Sequence, residues 1–185
     1  MRLFITVEIP ENLKVELASW SFSKKGVSWV KAENMHITLK FLGEVDEKLV
    51  KNLIDRLSNI KFKAFNVKTN RAGFFPNESS PRVLWVDFVD GESLKSLARA
   101  VSLALPEFKK DHPFKDHLTL ARIKHLANAE KENVVKKVKK IKTEGKEWVV
   151  KDFVLVRSIL LSNGPPYGVL ARFDGEKDLQ IESFK

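Results

Sequence analysis

His36-Ile37-Thr38-Leu39-Lys40-Phe41 and His117-Leu118-Thr119-Leu120-Ala121-Arg122 open with the same spelling, His-x-Thr-Leu, 81 positions apart. In an extended strand successive side chains alternate faces, so His36 and Thr38 share one face and His117 and Thr119 share another. Each stretch therefore presents one titratable imidazole beside one neutral hydroxyl. The surroundings repeat as well. Upstream of His36 lie an apolar strand pattern over 2–9 and a helical pattern from Pro10 to about Phe22, with Leu13, Leu17 and Trp20 on one face. A strand over about 35–42 follows, then a helix opening at Asp46, then a strand over about 62–72. The turn-rich segment from Gly73 to Pro81 closes this half.

The second half runs in the same order. A strand over 82–89, a helix over 91–105, a strand over 117–123, a helix over about 128–141 and a long strand over about 148–161 are expected. Both halves read β-α-β-α-β with the His-x-Thr strand in the middle. The expectation is an α+β fold of two pseudo-symmetric lobes, each a mostly antiparallel sheet with helices outside. The two His-x-Thr strands would face a central cleft. No Ser/Gly linker separates the approximate repeat halves 1–73 and 82–161, so residues 1–185 are taken as a single two-lobed domain. Whether strands cross between the lobes is not fixed by this pattern.

Composition narrows the partners. The chain carries 33 Lys and Arg against 24 Asp and Glu, a formal charge of +9, which favours an anionic partner such as nucleic acid or simply a soluble, lysine-rich surface. No run of about 18 apolar residues is present, so no membrane partner is expected. Glu8 and Pro10 interrupt the run a signal peptide would need. There is no cysteine, which removes disulfides, thiolate nucleophiles and cysteine-held zinc and fits a cytoplasmic location.

Histidine titrates near pH 6.5, so a pair can hold opposite protonation states: one protonates a leaving oxygen while the other takes a proton from water. A phosphodiester needs little beyond that pair, positioning, and donors on its non-bridging oxygens. The threonine hydroxyls suit the last role. Two histidines with no carboxylate in either motif make a poor metal site, so neither metal nor other cofactor is expected. No Gly-x-x-x-x-Gly-Lys-[Ser/Thr] loop for nucleotide phosphates occurs.

The stretches His36-Ile-Thr-Leu-Lys-Phe-Leu-Gly43 and His117-Leu-Thr-Leu-Ala-Arg122 resemble the two motifs of the 2H phosphoesterases. More closely they resemble the RNA 2′,3′-cyclic phosphodiesterases also called 2′-5′ RNA ligases. LFITVEIP, GFFPN, PRVLWV, LVRSIL and GPPYGVL extend the likeness along nearly the whole chain. The resemblance implies hydrolysis of 2′,3′-cyclic phosphate RNA ends to a 2′-phosphate, with tRNA fragments one candidate substrate and reversible 2′-5′ ligation a second activity. It implies His36 as proton donor and His117 as proton acceptor, with Thr38, Thr119, Arg122 and Phe41 binding substrate. It implies no protein partner. The rival reading is a non-catalytic RNA- or nucleotide-binding module of the same fold.

Two features sit awkwardly with that pattern. Phe41 and Arg122 each lie five residues after their histidine, a parity that sends them to the opposite face of a regular strand. Their roles therefore require a bulge, strong twist or strand end. Asp116 stands where relatives often carry proline. It either raises the pKa of His117 or points to the other face, as alternation favours. Elsewhere, His112, His125 and the lysines over 136–142 are expected on the surface. Trp85 is expected in the core and Arg82 at a strand rim, while Arg157, Ser158 and Tyr167 could approach the cleft. Phe74 and Phe75 would either stack on bases or pack beneath their loop.

Overall fold

A computed structural model gives the fold and describes residues 1–89, 91–108, 113–124, 126–158 and 167–176. His112, His125 and the end of the expected last strand, 159–161, lie outside the described residues. Among the described residues nine strands and four α-helices follow in the order β1 (Arg2–Glu8), α1 (Glu11–Ser19), β2 (Val27–Trp29), β3 (His36–Glu44), α2 (Val50–Leu57), β4 (Phe65–Phe75), β5 (Val83–Val89), α3 (Glu92–Ala104), β6 (Leu118–Ile123), α4 (Asn128–Val138), β7 (Glu147–Val150), β8 (Asp152–Ser158) and β9 (Tyr167–Asp174). Short 3-10 turns at Ala32–Asn34 and Glu47–Leu49 lead into β3 and α2. In the second of these the Asp46 carboxylate accepts from the Lys48 backbone N–H at 3.0 Å.

Two antiparallel sheets result, one ordered β3-β1-β8-β9 and the other β2-β6-β5-β4-β7. They do not follow the two halves of the sequence. β4, from the first half, pairs with β5 and β7, while β8, from the second, pairs with β1. The expected final strand is really two. Lys151 separates β7 from β8, and the chain passes there from one sheet to the other. Trp148 to Val156 is apolar apart from Lys151 and Asp152, and nothing in that run marks a change of sheet, although β7 exposes Glu147 and Val149 while β8 buries Phe153 to Val156.

The layers follow from alternation along β1. Leu3, Ile5 and Val7 point to one side and join a core containing Leu13 and Leu17 of α1, Leu53 and Leu57 of α2, Leu94, Leu97 and Val101 of α3, and Val134 and Val138 of α4. Phe4 and Thr6 point to the other side, where Phe4, Val154 and Val156 form a small cluster under Tyr167. The helices thus cover one side of each sheet and leave the His-x-Thr side to face the partner sheet. No helix among the described residues is long and apolar enough to cross a membrane.

Candidate active site

The parity conflict is resolved by one device used twice. Along the β1–β3 ladder His36 lies opposite Glu8, Thr38 opposite Thr6, Lys40 opposite Ile5 and Phe41 opposite Phe4. Leu39 has no partner, so it is the extra residue of a β-bulge. Residues opposite one another in a ladder share a face. Phe41 therefore lies on the same face as His36 and Thr38, and its side chain is 65% exposed. In the β5–β6 ladder Thr119 lies opposite Trp85 and Arg122 opposite Val83, with Leu120 skipped. Val83 and Trp85 share a face, so Arg122 returns to the face of Thr119. The two bulged leucines occupy the same place in each motif. Each is followed by a second buried residue, Lys40 or Ala121, where strict alternation would expose one.

Each histidine is held by its own backbone. His36 Nδ1 lies 2.7 Å from the Asn34 carbonyl oxygen, and His117 Nδ1 lies 2.7 Å from the Lys115 carbonyl oxygen. A carbonyl can only accept, so Nδ1 carries the proton in both rings and Nε2 is the atom left to give or take one. Aromatic rings complete the setting. His36 packs 5.0 Å from Phe4 and 5.3 Å, edge-on, from Tyr167. His117 packs edge-on against Phe75 at 5.1 Å, and Phe75 rests on Trp85 at the same distance. The Trp85 indole lies across Gly73 so closely that a Cβ there would come within 2.4 Å of the ring, which is why the strand carries glycine.

The two walls face each other. β3 and β6 are in contact, and the charge of His117 is felt at His36. Tyr167, on the first sheet, feels Arg122 on the second as well as Arg2 beside it, although burial dominates and pushes its phenol pKa up.

Burial lowers the pKa of His36 from 6.5 to about 4. The Asn34 carbonyl opposes this, and the charges of Lys14 and His117 add to it. His117 is also lowered, first by burial and then by Lys115 and Arg122, against the opposing pull of the Lys115 carbonyl and Asp116. Folded His36 binds its proton less tightly than the unfolded chain, so the penalty is absent above pH 6.5 and grows as the pH falls toward 4. It reaches ~2–3 kcal/mol at the lower end. Denaturant melts at pH 7 and 4.5 check this: His36→Gln should lose less stability between the two than the unmodified protein.

The sequence-selected residues thus fall into two sets on two walls: His36, Thr38 and Phe41 on β3, and His117, Thr119 and Arg122 on and just before β6. Tyr167 joins the first wall. Phe75 belongs to β4 rather than a loop and stands beside His117, whereas Phe74 is core, 5% exposed. Phe4, which composition alone gave no reason to select, is the ring beneath His36. Asp116 points away from the cleft and packs on Gly91. Among the described residues no three His, Asp or Glu side chains gather as a metal-holding set.

Two facing strands, each presenting a histidine with its Nε2 free and a threonine beside it, define a 2H phosphoesterase. The pattern of the LigT like Phosphoesterase family matches residues 3–85 and 87–167, and the chain belongs to that family. It is an enzyme, a hydrolase of phosphodiester bonds, which sets aside the reading as a non-catalytic binding module. It is 38% identical over 179 residues to the RNA 2′,3′-cyclic phosphodiesterase of Archaeoglobus fulgidus, covering 94% of this chain and all of that one. It is 35% identical over 175 residues to the enzyme of the same name from Methanocaldococcus jannaschii, covering 92% and 98%. The crystal structure of a Thermus thermophilus protein superimposes with a TM-score of 0.75 at 32% identity, over 95% of this chain and 100% of that one. Escherichia coli LigT in complex with 3′-AMP gives a TM-score of 0.76 at 26% identity, over 94% and 97%.

Proposed function

We propose that the chain hydrolyses 2′,3′-cyclic phosphate ends of RNA to 2′-phosphates by acid–base catalysis between His36 and His117, without a metal ion. The observation that carries this is the pair of imidazoles on facing strands, each with Nδ1 tied to a carbonyl and close enough for the charge of one to reach the other. The names of the curated relatives and the 3′-AMP complex of the bacterial neighbour support the substrate class.

In this reading water attacks phosphorus as His117 Nε2 takes its proton. The bond from phosphorus to O3′ breaks, and His36 Nε2 supplies the proton to that oxygen. One water is added, a 3′-hydroxyl and a 2′-phosphate form, and the pair ends with its proton exchanged between walls, to be reset by solvent. Thr38 and Thr119 donate to the non-bridging oxygens, where charge grows along the reaction. Arg122 adds a charge-assisted contact to the same group. Phe41 offers an exposed ring for the terminal base. With an RNA 5′-hydroxyl attacking in place of water, expulsion of the same O3′ leaves a 2′-5′ linkage, which is ligation, and tRNA fragments are one source of such ends.

The pH profile of kcat/KM tests this reading. Catalysis needs the pair to hold one proton, a state most populated between its two apparent pKa values. Burial lowers both histidines below 6.5 in the free enzyme. The expected profile is a bell with its maximum on the acid side of pH 6.5. A maximum above pH 7.5 would contradict the paired-histidine reading.

A further inference from the structure

Asp116 stands immediately before His117, and its surroundings show where its carboxylate goes. Gly91 precedes the first turn of α3 with φ −67°, an ordinary value that any residue adopts. What glycine offers there is space rather than a special conformation. A Cβ on Gly91 would lie 2.0 Å from Asp116 Oδ2 and 2.6 Å from its Cγ. The carboxylate therefore occupies the place of the missing side chain, beside the start of the 13-residue helix α3.

The other lobe shows what this position is for. Met35 stands 81 residues earlier, immediately before His36, and is 2% exposed in the core. In both lobes the residue before the histidine is anchored on the side away from the cleft. In both, the carbonyl one residue further back receives Nδ1–H. On one lead-in a thioether is buried in the core; on the other a carboxylate packs on a glycine.

We propose that Asp116 is a positioning residue that orients His117 through its seat on Gly91, so that the two histidines of the cleft are held by different chemistry. This rests on the acid–base reading of His117. Asp116 acts through the lead-in to His117 and does not touch substrate. The carboxylate also lies among the charges that reach the imidazole: it opposes Lys115 and Arg122, while Phe75 contributes an uncharged ring and His36 faces from the other sheet. Removing its charge alone should let the His117 pKa fall further. Removing the seat should disturb orientation instead.

Three variants and their combination separate these effects. Asp116→Asn keeps the shape; we expect kcat at its optimum to change less than threefold and the His117 proton NMR titration to move to lower pH. Asp116→Ala loses the anchor; we expect kcat to drop at least tenfold with KM nearly unchanged. Gly91→Ala displaces the carboxylate without altering it and should reproduce that drop. In an Asp116→Ala background the same Gly91→Ala change meets no carboxylate and should cost less than twofold more. Additive losses from Gly91→Ala and Asp116→Ala, or an unmoved His117 titration in Asp116→Asn, would overturn the proposal. Activity retained in His117→Ala would overturn the acid–base reading instead.

Discussion

His117→Ala lowers turnover of an oligonucleotide ending in a 2′,3′-cyclic phosphate by ~10²–10⁴-fold, and His36→Ala does the same, each with the fold preserved. The losses are expected to be of similar size on that substrate because both proton transfers accompany expulsion of a poor leaving group. They should part company on an aryl phosphodiester, whose phenolate departs without needing a proton. There His36→Ala recovers most of its lost rate, whereas His117→Ala stays impaired because water still requires a base. Circular dichroism verifies folding, since His36 packs on Phe4 and Tyr167 and its truncation opens space in that cluster. Recovery of His117→Ala rather than His36→Ala would exchange the two roles. The motifs themselves are too alike to fix that order, and the resemblance supplies it.

Arg122→Ala is expected to reduce kcat/KM by ~10²-fold, the usual scale for removing one donor that meets charge developing in a transition state. Arg122→Lys should recover only part of this, because an ammonium lacks the planar fork that holds two phosphate oxygens at once. The effect depends on the Leu120 bulge, which brings Arg122 to the same face as Thr119. Phe41 depends likewise on Leu39, and Phe41→Ala should act mainly on KM, as expected for a ring that stacks on a base. Steady-state kinetics of Arg122→Ala and Phe41→Ala on one substrate check the contrast. Unchanged kcat/KM in Arg122→Ala would remove it from the site.

Much of this was legible in the sequence because it is local. His-x-Thr on a strand, helices with Leu and Val at helical spacing, and Asp46 ahead of a helix all depend on residues within a few positions of one another. What was not legible depends on partners far along the chain. Leu39 and Leu120 look like ordinary inward-facing leucines, and only the register with β1 and β5 shows that each is passed over. Exchange of β4 and β8 between the sheets shows in no local pattern: β4 alternates buried Val67 and Thr69 with exposed polar neighbours, β8 is a buried apolar run, and neither pattern says which sheet the strand joins. β2 is three residues long, too short to show a period. β9 carries Val169 and Leu170 exposed at a sheet edge, so it lacks the inward apolar alternation by which a strand is recognised. Asp116 was half legible: alternation favoured the far face, but the glycine that receives it lies 25 residues upstream.

If two His-x-Thr strands form one cleft that opens a cyclic phosphate toward the 3′ side, the position of the product phosphate must show it. Product analysis of an EDTA-treated reaction on a defined oligonucleotide ending in a 2′,3′-cyclic phosphate tests it most directly. A single product bearing a 2′-phosphate and a free 3′-hydroxyl is expected. A 3′-phosphate product, or no reaction once chelator is present, would contradict it.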